Sequence, residues 1–167
     1  MKKREWAVKR LKLMVLFQMT FPGVPSIYYG DEAGLEGFDD PFNRGTYPWG
    51  SEDEDLLQWY RLMIMLRKAN PVFKRAAWIP IVMDHCVYGF IRIFKGGRDV
   101  FNQPMTGKTA LVLMNSSKED CHTIDINVKE YFSDGALEVL SNSLVEIKDG
   151  TLNTKLSPLE GKVFIEK

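Results

Sequence analysis

Residues 5–20 are rich in good helix formers, and Ala7, Leu11, Met14, Val15 and Gln18 recur on one side at helical spacing. Lys2, Lys3, Arg4, Lys9, Arg10 and Lys12 fill the first half, whereas Leu13, Leu16 and Phe17 make the second half apolar on most sides. The pattern predicts a helix that starts exposed and becomes buried against partners on several faces. Pro22-Gly23 ends it. Pro25 to Gly30, with Ile27, Tyr28 and Tyr29, reads as a short apolar strand of the kind buried on both faces of a parallel sheet. Asp31 to Gly50 is rich in Gly, Pro and Asp and predicts a long loop, a length that usually signals function. Ser51 with Glu54 reads as a capping box opening a second helix. Its apolar stripe is Leu56, Trp59, Tyr60, Met63 and Leu66. Arg67 and Lys68 suit its negative end, and Asn70-Pro71 stops it.

Beyond Pro71 the period changes. Short β-branched or alternating runs follow at 79–83, 87–94, 110–115, 123–128, 137–140, 144–147, 151–156 and 162–165, separated by Gly96-Gly97, Asp134-Gly135 and Asp149-Gly150. Strands at this spacing predict an antiparallel sandwich or barrel. The fold class expected is therefore α+β: a helix–strand–helix piece, then an all-β antiparallel sandwich, with a boundary near residues 70–76.

The chain has 167 residues, with 45% hydrophobic and 26% charged positions, which excludes a disordered or collagen-like chain. A complete (β/α)₈ barrel needs roughly 250 residues and does not fit. Lys+Arg and Asp+Glu are both 22, so no general attraction to nucleic acid or to an anionic membrane is expected. The basic start followed by Leu13–Phe17 is too short for a membrane span and lacks a small-residue cleavage site, so a cytoplasmic location is expected. Cys86 and Cys121 are expected as buried free thiols, and His85 and His122 are too few and too scattered for a metal site.

Phe17-Gln18-Met19-Thr20-Phe21-Pro22-Gly23-Val24-Pro25-Ser26-Ile27-Tyr28-Tyr29-Gly30-Asp31-Glu32-Ala33-Gly34 resembles the segment that enters and forms the last barrel strand of the alpha-amylase family of glycoside hydrolases. Asp40-Pro41-Phe42-Asn43-Arg44 with Tyr47-Pro48-Trp49 resembles the loop after that strand, closest to the neopullulanase, cyclomaltodextrinase and maltogenic-amylase branch. Leu62 to Pro71 is similar to the last barrel helix, and Ser157-Pro158-Leu159 to Ile165 to the closing strand of the family's C-terminal sandwich. The resemblance implies that residues 1–72 are the C-terminal remnant of a (β/α)₈ catalytic barrel and 73–167 a β-sandwich domain. It implies a parent that cleaves alpha-glucosidic bonds of starch-like oligosaccharides with retention. The family's nucleophile, acid and transition-state-stabilising Asp all lie upstream of this segment. The third of these sits in a His-Asp pair, and none occurs here, since His85 precedes Cys86 and His122 precedes Thr123. No catalytic residue, metal or cofactor is therefore assigned, and this chain is expected to be inactive by itself.

Retaining hydrolysis needs two carboxyl groups about 5 Å apart. Asp31 and Glu32, at the end of the expected strand, are read as supports for loops, with Asp39 as a further acid. Asp40 and Arg44 are the substrate-binding candidates. Their spacing folds them onto one side of a turn, where a carboxylate accepts and a planar guanidinium donates hydrogen bonds to vicinal hydroxyls. In the resembled branch the matching pair contacts glucose; the competing reading is a salt bridge within the loop. Tyr47 and Trp49 are candidates for stacking on sugar rings, but Pro48-Trp49 before a helix is read rather as a staple or core anchor; Trp59 is read as core, and Trp78, Tyr88 and Phe90 as core rather than a starch-binding face. Two further expectations are self-association through residues 1–70 and, as an alternative function, a non-enzymatic carbohydrate-binding or structural module.

Overall fold

A computed structural model of the chain describes residues 2–83 and 85–167. Helix α1 (Lys2–Thr20) is followed by a long connection holding one short 3₁₀ turn (Asp31–Ala33). Then come α2 (Glu54–Ala69), the single turn α3 (Val72–Arg75) and eight strands. These are β1 (Ala77–Met83), β2 (Val87–Ile93), β3 (Ala110–Asn115), β4 (His122–Asn127), β5 (Gly135–Glu138), β6 (Ser143–Glu146), β7 (Thr151–Leu156) and β8 (Gly161–Glu166). Every run marked as a strand after Pro71 forms one. Six of them make an antiparallel sheet in the order β1-β2-β3-β8-β5-β6, and β4 pairs with β7 in a second sheet.

Alternation along the central strands divides the interior in two. Phe90, Ala110, Val112, Met114, Val163 and Ile165 point to the helical side, where they join Val15, Leu16, Met19, Tyr60, Met63 and Phe73. Val87, Ile91, Leu111, Leu113 and Phe164 point the other way and meet Ile126, Leu152 and Leu156 of the small sheet. The large sheet is thus covered by helices on one face and by the β4–β7 pair on the other. Gly161 lets β8 approach α1, because a Cβ there would sit 2.8 Å from Leu16 and 3.0 Å from Leu13. The stretch Phe17, Phe21, Trp78, Tyr88 and Phe90 interlocks at ring separations of 4.5–6.3 Å, so these aromatics belong to the interior as expected.

Four local expectations fail. Pro25 to Gly30 forms no strand. A strand is defined by pairing, and this segment is instead tied by single bonds, Gln18 Nε2 to the Ser26 carbonyl at 2.5 Å and the Asp31 N–H to Tyr28 at 3.2 Å. Helix α2 opens at Glu54 with Asp53 as its cap rather than Ser51, since the Asp53 carboxylate accepts the Leu56 N–H at 3.1 Å. Met14 is 66% exposed although the helical pattern put it on the buried side. Cys121 is exposed and Cys86 half-buried, and both thiols are free.

Two arginines join the layers. Arg67 of α2 donates to the carbonyls of Met19 (2.8 Å), Phe21 (3.2 Å) and Gly23 (2.5 Å). Arg92 of β2 donates to Thr20 (2.6 Å) and Ala76 (2.9 Å) and is 1% exposed. Together they satisfy the Met19 and Thr20 carbonyls at the C-terminus of α1, where positive charge also suits the helix dipole, and carbonyls of the chain beyond it. Burial lowers the pKa of both. For Arg92, burial with Arg67 nearby brings it to about 10.

Among the described residues no helix is long and apolar enough to cross a membrane.

Candidate functional site

The connection between α1 and α2 is anchored at both ends. At its start Arg67 holds the Phe21 and Gly23 carbonyls. Gly30 then turns the chain at φ 92°, where any Cβ would lie 2.7 Å from the Leu35 side chain, and its N–H donates to Glu32 Oε2 at 2.9 Å. The Tyr29 hydroxyl donates to the Gly45 carbonyl at 2.9 Å, which draws the two ends of the loop together. The Asp53 N–H donates to Ala33 at 2.9 Å, locking the 3₁₀ turn onto the start of α2. Arg4 reaches back from α1 to Asp53 at 2.8 Å and to Glu36 at 3.7 Å.

Asp40 and Arg44 lie on the outermost part of this loop. The Phe42 N–H donates to Asp39 at 2.8 Å and the Arg44 N–H to Pro41 at 3.2 Å, so the backbone doubles back within five residues. That turn brings the Arg44 guanidinium to 3.0 Å from Asp40, with side chains 71% and 63% exposed. Asp40 and Arg44 are thus close, as their spacing predicts, and form the ion pair within the loop. A surface pair of this kind adds little stability, at most about 1 kcal/mol. Its unused oxygens and N–H groups remain open to a ligand.

Asp31 and Glu32 sit side by side on the 3₁₀ turn. Burial, then the charge of Glu32, raises the Asp31 carboxyl above its usual range. Burial, then Asp31 and Glu32, pushes the nearby Tyr60 hydroxyl to about 12. Glu32 is engaged by Gly30, a local supporting contact. Asp53 moves the opposite way. The Arg4 hydrogen bond and the Leu56 N–H hold it below the usual carboxylate range.

Trp49 is not the core anchor expected of it. It is 82% exposed, and its ring lies against Tyr47 at 4.5 Å and 49°. Phe38 and Phe42 are also largely exposed, so the loop that carries Asp40 and Arg44 displays three open aromatic rings. Trp59 is half-buried against the core as expected, its Nε1 donating to the Lys12 carbonyl at 2.9 Å. A groove of about 680 Å³ between α1 and the start of α2, lined by Arg4, Glu5, Val8, Lys9, Asp53 and Asp55, involves neither Asp40 nor Arg44. Among the described residues no group of three or more His, Cys, Asp or Glu is placed to hold a metal ion.

Sequence reasoning passed over Arg4, Arg92 and the cap at Asp53. Arg92 had a signal, since a lone cation between Ile91 and Ile93 in an apolar strand must find carbonyls or acids if it is buried. Arg4 had none, because its partners lie 32 and 49 residues away along the chain.

No family model matches the chain. It is 36% identical over 164 residues, 97% of its length, to an amylopullulanase of Thermoanaerobacter thermohydrosulfuricus. It is 34% identical over 115 residues to a cyclomaltodextrinase of Thermoanaerobacter pseudethanolicus, covering 68% of this chain. Over this region the chain is homologous to alpha-amylase-family glycoside hydrolases. Among solved structures, an Anoxybacillus alpha-amylase superposes with a TM-score of 0.81 at 22% identity, covering 96% of this chain and 33% of that one. That likeness shows the fold of the family's β-rich region with its neighbouring helices. The chain spans 11% of the amylopullulanase and 18% of the cyclomaltodextrinase.

Proposed function

We propose that this chain is the C-terminal portion of a retaining alpha-amylase-family hydrolase that cleaves alpha-glucosidic bonds of starch-like oligosaccharides. The alignment with an amylopullulanase along 97% of the chain supports the reading. In it, residues 1–72 are the final helix–strand–helix of the (β/α)₈ barrel and residues 73–167 the sandwich that follows. The segment 25–30 then acquires its strand pairing only beside the rest of the barrel, which accounts for its unpaired state here.

Asp40 and Arg44 are the substrate-binding residues in this reading. The Asp40 oxygens accept from, and the Arg44 guanidinium donates to, vicinal hydroxyls of one glucose. Their mutual ion pair holds both groups at the right spacing before the sugar arrives. The carboxylates that break the bond lie upstream, so the chain by itself binds alpha-glucan weakly and turns nothing over. Alone, it also self-associates through the exposed apolar residues of its first seventy positions, among them Val24, Tyr28 and Trp49.

The test is a chimera in which this chain replaces the aligned region of the amylopullulanase. The chimera should hydrolyse maltotriose, and Asp40→Ala or Arg44→Ala should raise KM about tenfold or more by removing hydrogen bonds to the sugar, two of them charge-assisted. An active chimera indifferent to both substitutions removes the pair from the site.

A further inference from the structure

The formal charge of zero conceals an uneven distribution. Between residues 67 and 108 there are eight Lys and Arg against two acids, Asp84 and Asp99. Of the eight, Arg67 and Arg92 are buried on carbonyls, and Arg75 is paired with the buried Asp99. The remaining five, Lys68, Lys74, Lys95, Arg98 and Lys108, are exposed, with no ion pair among the described residues. Lys68 and Lys74 end helical segments, where the dipole alone favours a cation. Lys95, Arg98 and Lys108 do not end an α-helix, and Arg98 Nη1 donates to the Asn102 carbonyl at 2.9 Å, which leaves its charge unneutralised. All three lie on the connection from β2 to β3, which the Val100 N–H joins to α3 through the Arg75 carbonyl at 2.9 Å. At the foot of the connection the Glu166 carboxylate is engaged by the Thr109 N–H at 3.3 Å.

The tip of that connection is apolar and fixed. Asp99 Oδ1 accepts the N–H groups of Phe101 (2.9 Å) and Gln103 (2.8 Å), and the Asp99 N–H returns to the Gln103 carbonyl at 2.9 Å. Val100 and Phe101 are thereby held outward, 56% and 69% exposed, with the Arg75 guanidinium 6.0 Å from the Phe101 ring. A neutral glucan would make no use of the cations, and a soluble polyanion would make no use of two neighbouring apolar side chains. An anionic lipid surface uses both, the apolar tip entering the interface and the cations meeting headgroups. We propose that this end of the molecule docks on an anionic phospholipid surface, with Val100 and Phe101 inserted and Lys95, Arg98 and Lys108, on the same connection, meeting the headgroups.

The proposal stands apart from the glycosidase reading and is tested on the chain itself, by co-sedimentation with vesicles. Phosphatidylcholine vesicles should leave the chain in solution, and vesicles mixed with phosphatidylglycerol should carry it down, less so as salt rises. Lys95→Gln and Lys108→Gln, both at exposed side chains, should each weaken binding about fivefold. Phe101→Ser should weaken it about tenfold or more. A Phe101→Trp variant should gain a blue-shifted emission component with the mixed vesicles only. Equal binding to both vesicle types overturns the proposal. So does binding untouched by Phe101→Ser, or retention by soluble polyglutamate as tight as by the mixed vesicles.

Discussion

Asp53 does two jobs with one carboxylate: it caps α2 through the Leu56 N–H and pairs with Arg4 of α1. Asp53→Ala should cost about 1–2 kcal/mol, chiefly the cap, and lower the thermal midpoint accordingly; Asp53→Asn should recover part of it, since asparagine caps equally well. The carboxylates also set the acid response. Asp53 is held below its unfolded value by Arg4 and the Leu56 N–H. Burial would raise Asp99, but the N–H groups of Gln103 and Phe101 and the Arg75 guanidinium outweigh it and hold that carboxyl low as well. A lowered folded-state pKa gives stability that is present above the unfolded value, about 3.9, and lost as pH falls through the folded one. Asp31 is raised, so its contribution has the opposite sign: it is present at low pH and lost as pH rises through its folded value. Two lowered groups against one raised group should make the chain lose stability on acidification below about pH 4. Denaturant melts of Asp31→Asn should show a gain over the parent at neutral pH that disappears in acid.

At the scale of elements, α1 depends on the sheet and the sheet on α1. Arg92 serves the Thr20 and Ala76 carbonyls from inside the helical interface, and Leu16, Phe90, Val112 and Val163 are fully buried there or nearly so. Arg92→Ala should leave those carbonyls unpaired and open a cavity, a loss of roughly 3 kcal/mol or more in chemical denaturation. Deleting residues 1–70 would strip α1 and α2 from the helical face of the six-stranded sheet, leaving only the turn α3. The shortened chain is expected to lose its single cooperative transition and bind a hydrophobic dye, whereas a freely standing sandwich module would melt as sharply as the full chain.

These elements also show what could be read from sequence and what could not. The β7 run declares itself by period-two burial, and β2, β3 and β8 by nearly continuous apolar or β-branched stretches, properties local to each run. The two helices declare themselves through spacing and their Pro stops. Pro25 to Gly30 misleads because its composition states a preference for extended backbone, while pairing depends on what lies beside it. Trp49 misleads for a related reason: Pro-Trp before a helix fits a staple, and only the fold shows the ring open to solvent beside Tyr47. The Asp40–Arg44 pair was legible as a turn-borne pair because its spacing is short, whereas Arg4 with Asp53 required the tertiary fold.

For the molecule as a whole, homology places it with alpha-amylase-family hydrolases, while its length covers a small share of theirs. It brings to one loop a hydrogen-bonding carboxylate–guanidinium pair and three open aromatic rings. In the proposed reading the pair grips a sugar, and carboxylates upstream of this segment do the cutting. Release of glucose from maltotriose by the purified chain tests that division most directly. The expected result is no turnover by the chain, with or without Asp40. Turnover that falls when Asp40 is replaced by alanine would contradict it, since the carboxylates needed for hydrolysis would then lie within these 167 residues.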